Sequence, residues 1–231
     1  MISVKDQQNL LIEIGKRIPY EITVYAIGGT AMMFLGLKEA TLDVDLVFTK
    51  TEDKKAFKKA AKELGYKEMD STIVHGVKDN SPEMISLGDA RLDLFSTNVI
   101  DFIFSVSMQK RSRQDHQFGK NLLLKIADVH DIILMKCATR RVKDEDDIIN
   151  LIRSIDTINW SLLVEEARNQ VALGKETAIF NLGTLLETLK HKHKVKVPNA
   201  ILGELWKLVK KQADKKSRSE NAMTKKFSMQ K

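Results

Sequence analysis

The chain has 231 residues, 43% hydrophobic and 30% charged, with a formal net charge of +7. This suffices for an ordinary packed core, while the single cysteine, Cys137, excludes an internal disulfide and no stretch approaches the ~20 apolar residues of a membrane span. Met1–Asp6 carries no apolar run of the signal-peptide kind, so a soluble, cytoplasmic protein with no membrane partner is expected.

Residues 4–17 place Val4, Leu10, Leu11, Ile14 and Ile18 at a helical period, and Pro19 ends the helix. Ile22 to Ile27 reads as a short buried strand, broken by Gly28-Gly29, and Thr30 to Leu37 returns to helical composition. Asp43 to Phe48 is a second strand. An amphipathic helix follows over 52–64, stopped by Gly65. Short strands are expected at Tyr66–Met69 and Thr72–His75, a clear one at Arg91–Phe95, and further ones between 99 and 125, with Leu122–Ile126 the best defined. Beyond residue 126 strand signals stop. Asp128 is placed to cap a helix to about Thr139, and Glu145–Ile155, Asn159–Ala172, Lys175–Lys190 and Pro198–Gln212 read as helices. The expectation is an α/β (α+β) core over 1–126, a mixed sheet flanked by helices, then a helical region over 127–212. Residues 213–231 are polar, basic and poor in aliphatics, which predicts a disordered tail. Cys137 falls in an apolar helix and reads as a buried thiol. His191 and His193 read as a solvated loop, and Trp160 and Trp206 as anchors of the helical part.

Three segments carry chemistry. In a strand, residues two apart face one side, so Asp43 and Asp45 project together while Val44 and Leu46 pack the other way. Paired carboxylates repel unless a cation lies between them, and Mg²⁺ favours one or two carboxylates plus substrate phosphates. Asp93 is a lone acid in an apolar strand. Beside the Asp43 strand it would complete a three-carboxylate cluster of the kind that holds two metals ~3.5–4 Å apart; the alternative is a plain pair with Arg91. The Gly28-Gly29-Thr30 turn joins a strand to a helix, where glycines admit a phosphate close to the backbone and a Thr30 hydroxyl could donate to it.

The run Tyr25 to Phe48, with its Gly28-Gly29 turn followed by Thr41-Leu42-Asp43-Val44-Asp45, resembles the signature of the DNA polymerase β-type nucleotidyltransferase superfamily, nearest the branch of AbiEii/MenT-like toxin nucleotidyltransferases. Asp93 matches the branch's third acid. Lys136 matches a lysine on one helix, and Arg140 or Arg141, Lys143, Asp144 and Asp147 match the basic and acidic positions that open the next. The likeness covers residues 22–155; it departs where Gly-Gly-Thr replaces the more usual Gly-Ser, and residues 156–231 match nothing in the family. It implies a minimal nucleotidyltransferase fold and transfer of a nucleoside monophosphate from a nucleoside triphosphate to an acceptor hydroxyl. Mg²⁺ or Mn²⁺ would be held by Asp43, Asp45 and Asp93, with Asp93 also assisting deprotonation of the attacker. Gly28, Gly29, Thr30, Thr41 and Lys136 would bind the nucleotide. Asp144 would organise the site, the alternative being an ordinary helix N-cap. The helical region 127–212 would complete the nucleotide site and contact the acceptor.

The acceptors this implies are a tRNA 3′ end, a protein side chain or a small molecule. The basic balance leans toward RNA, although an excess of this size also serves solubility alone. A toxin role with a cognate antitoxin follows from the branch. Two other classes compete: a non-catalytic nucleotide- or RNA-binding module on the same fold, and a helical interaction protein.

Overall fold

The structure, a computed structural model, describes residues 1–70, 72, 80–139 and 142–228; side chains at 114, 139, 142–143 and beyond 217 fall outside that description. The segment Thr72–His75, where a short strand is expected, lies almost wholly outside it, as do Arg140, Arg141 and the side chain of Lys143.

In chain order the first half runs β1 (Ile2–Ser3), α1 (Val4–Gly15), β2 (Ile22–Ala26), α2 (Gly28–Phe34), β3 (Ala40–Thr41), β4 (Asp43–Phe48), α3 (Thr51–Glu63) and β5 (Lys67–Met69). It continues through β6 (Glu83–Leu87), β7 (Ala90–Phe95), β8 (Asn98–Val99), β9 (Phe102–Ile103), α4 (Val106–Arg111), β10 (Arg113–Phe118) and β11 (Leu122–Ile126) to α5 (Val129–Thr139) and α6 (Val142–Arg153). Helix α1 starts where Ser3 and Asp6 form a reciprocal capping box, which satisfies two N–H groups the helix itself leaves open. Asp128 caps α5 as expected, its Oδ1 accepting from the His130 N–H at 2.9 Å.

Seven strands form one mixed sheet in the order β10-β11-β2-β4-β7-β6-β5. β11 runs parallel to β2 and β4 parallel to β7, while β2 and β4 are antiparallel. The α/β class with a mixed sheet and a C-terminal helical region is therefore the observed one. Val44, Leu46, Leu92 and Leu94 are fully buried on one sheet face, and Phe48 packs edge-on against Phe57 of α3 with ring centroids 5.3 Å apart. Each such side chain contributes roughly 1.5–3 kcal/mol by leaving water. A one-residue slip of β4 against β7 would expose this set, so packing fixes the register.

Among the described residues strands end at Ile126 as expected, and that change falls inside a compact unit: one unit spans Met1–Ile158 and a second Asn159–Lys231. The reason lies in α5. Ile132, Ile133, Leu134 and Cys137 are all buried, and a helix apolar on several sides belongs inside a core rather than on a separate helical body. Burial pushes the Cys137 thiol pKa far up, which leaves an inert structural thiol donating to the Ile133 carbonyl at 3.1 Å.

The second unit comprises α7 (Trp160–Ala172), α8 (Ala178–His191) and α9 (Asn199–Ser228). Trp206 anchors it, donating to Glu187 at 2.8 Å and packing edge-on against Phe180. α9 runs through most of the segment expected to be disordered. No Gly or Pro follows Gly203, and Lys, Gln, Ala and Arg are strong helix formers, so low apolar content does not stop the helix. Among the described residues no helix is long and apolar enough to cross a membrane.

Candidate functional site

The parallel register of β4 and β7 sets Asp43 opposite Arg91 and Asp45 opposite Asp93. Because opposed residues share a face, all four side chains emerge on the side away from the Val44–Leu92 layer. Oxygens of Asp43, Asp45 and Asp93 lie within 4.8 Å of one another, and among the described residues this is the acidic, thiol or imidazole set close enough to hold a metal ion. Asp93 is buried and the other two are half-buried. Burial, and then the charges of Asp43 and Asp93, hold the Asp45 carboxyl well above its usual pKa, with Lys136 and Arg91 offsetting part of the effect.

The alternative pair with Arg91 also forms. Arg91 Nε donates to Asp93 at 2.9 Å, and its terminal nitrogen reaches both Asp93 and Asp43. One guanidinium thus lies across two of the three acids.

The glycine turn is shaped by its neighbours. Gly28 has φ +55°, and a Cβ there would lie 2.7 Å from Asp45 Oδ2; a Cβ on Gly29 would lie 2.7 Å from Thr41 Oγ1. Gly28 is required by its backbone conformation, and both glycines let the turn pack closely against the Asp45 and Thr41 side chains, whatever else binds there. Thr30 is fully buried, and its hydroxyl accepts the Asp45 N–H at 2.8 Å. It does not line the cavity, so its position differs from that expected of a phosphate donor: it locks the backbone of the strand that carries the acids. Thr41 faces the cavity and donates to Asp43 at 3.3 Å.

Lys136 projects from α5 and is 7% exposed. Its ammonium donates to Asp144 at 3.1 Å and to Asp147 at 2.6 Å, and Lys38 reaches Asp147 at 3.3 Å. Asp144 lies in the first turn of α6 rather than at its cap. Its buried carboxyl accepts from the lysine.

These groups line a cavity of about 410 Å³, a size that accommodates a small-molecule ligand. Its polar floor is the triad, the Gly28-Gly29 turn and Lys136. Phe95, Val99, Ile100, Phe102, Ile132 and Met135 provide an apolar side. Six carboxylates (Asp43, Asp45, Asp93, Asp101, Asp144, Asp147) face three cations (Lys38, Arg91, Lys136) among the lining residues. On a chain of net charge +7, this is a local negative excess among the described residues, one that attracts cations and repels a bare polyphosphate.

Lys38 and the β8–β9 hairpin were not legible as site residues. Lys38 meets its partner 109 positions away, which no local pattern encodes. Ile100, at the hairpin tip, has φ +51°, a conformation that β-branched residues rarely adopt. No family model matches this chain, and no curated protein matches it in sequence.

Gly28→Ala tests the close approach. The backbone term alone costs about 1–3 kcal/mol, and the added Cβ must also displace the Asp45 carboxylate. Gly36→Ala is the control, since Gly36 has φ +73° and open space around its Cβ. In denaturant melts Gly28→Ala should lose clearly more stability than Gly36→Ala. Equal losses would mean the turn and the acid are not in tight contact.

Proposed function

We propose that this chain is a divalent-metal-dependent nucleotidyltransferase, moving a nucleoside monophosphate from a nucleoside triphosphate to an acceptor hydroxyl. The observation that carries this reading is the meeting of Asp43, Asp45 and Asp93 within 4.8 Å on two adjacent strands, beside a glycine turn and a buried lysine in one cavity. The donor set is all carboxylate, which suits Mg²⁺ or Mn²⁺. When bound, such ions neutralise phosphate charge and polarise the reacting oxygens.

The chain's own residues divide the remaining work. Asp43, Asp45 and Asp93 would hold the cations, while Thr30 fixes the backbone at Asp45 and Thr41 donates to the Asp43 carboxylate. Gly28 and Gly29 leave room for the triphosphate at the cavity floor. Lys136 supplies positive charge toward it, with Asp144 and Asp147 setting its position. The apolar side offers a surface for a nucleobase. Asp93, beside Asp45, accepts the proton of the attacking hydroxyl. That oxygen bonds to the α-phosphorus as the bond to pyrophosphate breaks, and positioning with charge neutralisation supplies the rate. RNA, tRNA above all, is the first acceptor class to test and a protein hydroxyl the second, with a toxin countered by an antitoxin as one biological setting.

A second reading, a non-catalytic nucleotide- or RNA-binding module, is favoured by one observation: Arg91 and Lys136 already pair with acids of the cavity. Incubation with each α-labelled triphosphate, Mg²⁺ or Mn²⁺, and total RNA or cell lysate distinguishes the two. Label should appear on a macromolecule and vanish on chelation with EDTA. Metal-dependent triphosphate binding in calorimetry without any transferred label would leave the binding module standing instead.

A further inference from the structure

Arg91 and Asp93 sit two residues apart on β7, on the face they share with Asp43 and Asp45. The Arg91 guanidinium donates to Asp93 at 2.9 and 3.3 Å and to Asp43. It therefore lies between two acids that an ion would have to bridge. Its side chain is 19% exposed and lines the cavity, so a long flexible stem has space to swing away from them. Among the described residues, the other cations lining the cavity are engaged elsewhere, Lys38 by Asp147 and Lys136 by Asp144 and Asp147.

We propose that Arg91 is the built-in counter-cation of the triad, and that it makes metal binding and triphosphate binding depend on one another. This rests on the reading of the triad as a metal site. Two cationic groups cannot share the gap between Asp43 and Asp93, because like charges a few ångströms apart repel in a partly buried setting. A metal entering alone must strip the guanidinium of its bonds to Asp43 and Asp93, the very acids the metal then occupies. With a triphosphate present, the displaced guanidinium finds phosphate oxygens within the same cavity, and planar Arg suits such groups. Metal alone binds weakly, and metal with triphosphate binds well. By linkage, the metal raises triphosphate affinity by the same factor.

The test is Mn²⁺ binding, followed by electron paramagnetic resonance or calorimetry, with and without a triphosphate whose α–β bridge is a methylene. Wild type should bind Mn²⁺ on the order of tenfold more tightly with the analogue than without it. Arg91→Met should bind Mn²⁺ alone on the order of tenfold more tightly than wild type and gain little from the analogue. Without metal its melting temperature should drop, since Asp43 and Asp93 lose their counter-ion, and Mn²⁺ should restore it. Arg91→Lys, a point charge without the fork, should fall between the two, and it decides the matter if Arg91→Met does not fold. Equal or weaker Mn²⁺ binding by the variants without analogue overturns the proposal while leaving the metal site intact. Absence of Mn²⁺ binding by wild type under both conditions overturns the metal site and the proposal together.

Discussion

Asp45→Asn is expected to lose transfer activity by about a thousandfold or more, and yet to melt at a higher temperature than wild type when no metal is present. The two effects share one cause. Burial and the neighbouring charges of Asp43 and Asp93 raise the Asp45 pKa well above its ordinary 3.8. A carboxyl with a raised folded pKa holds its proton more tightly folded than unfolded. Its contribution therefore turns unfavourable as pH rises above the unfolded value, and the deficit is complete once pH exceeds the folded one. Asparagine keeps the shape and carries no charge, so it removes that deficit along with a metal ligand. Thermal melts of metal-free protein from pH 4 to 8 should show wild type losing stability across that window more steeply than the variant. Mn²⁺ should raise the wild-type melting temperature and leave the variant's nearly unchanged. A variant that melts lower than wild type at neutral pH and still transfers label would refute the electrostatic account of this site.

Lys136→Met should be among the most destabilising single substitutions in the first unit. The side chain is 8% exposed, and its partners Asp144 and Asp147 are 3% and 14% exposed. Removing one member of a buried ion pair leaves the other uncompensated, at a cost of about 3–5 kcal/mol. For a unit of this size that lowers the melting temperature by roughly 10 °C. Lys38 still reaches Asp147, whereas Asp144 loses the ammonium that donates to it at 3.1 Å. The double variant Lys136→Met/Asp144→Asn should therefore recover most of the lost stability. It should not recover triphosphate binding if Lys136 also serves the nucleotide. Recovery of both would assign Lys136 a structural role alone.

Much of the first unit is legible from local pattern. The alternation in Asp43-Val44-Asp45-Leu46 and in Arg91-Leu92-Asp93-Leu94 fixes which side chains share a face, since successive Cβ atoms of a strand point to opposite sides. The Gly28-Gly29 break, the Asp128 cap and the strand Leu122–Ile126 likewise follow from residue type. Three features misled or escaped a reading of the chain alone. The segment 127–158 is purely helical, and only its burial shows that it shares one compact unit with the sheet. The tail is poor in apolar residues, yet its helix-forming residues continue α9 to Ser228. Thr30 follows two glycines at a helix start, and that its side chain is fully buried against the Asp45 backbone was not legible from the turn.

By itself the sequence determined that Asp43 and Asp45 project together, that Asp93 points out of an apolar strand, and that a glycine turn precedes them. These are consequences of strand pleat and backbone sterics, which act over a few residues. Only the tertiary structure decided that Asp93 lies opposite Asp45, that Arg91 bridges two of the acids, and that Lys136, Asp144, Asp147 and Lys38 form one connected network. Those relations join residues far apart in the chain, 48 positions for Arg91 and Asp43. They are set by strand register and helix docking, which depend on how the Val44, Leu46, Leu92 and Leu94 layer packs against its neighbours.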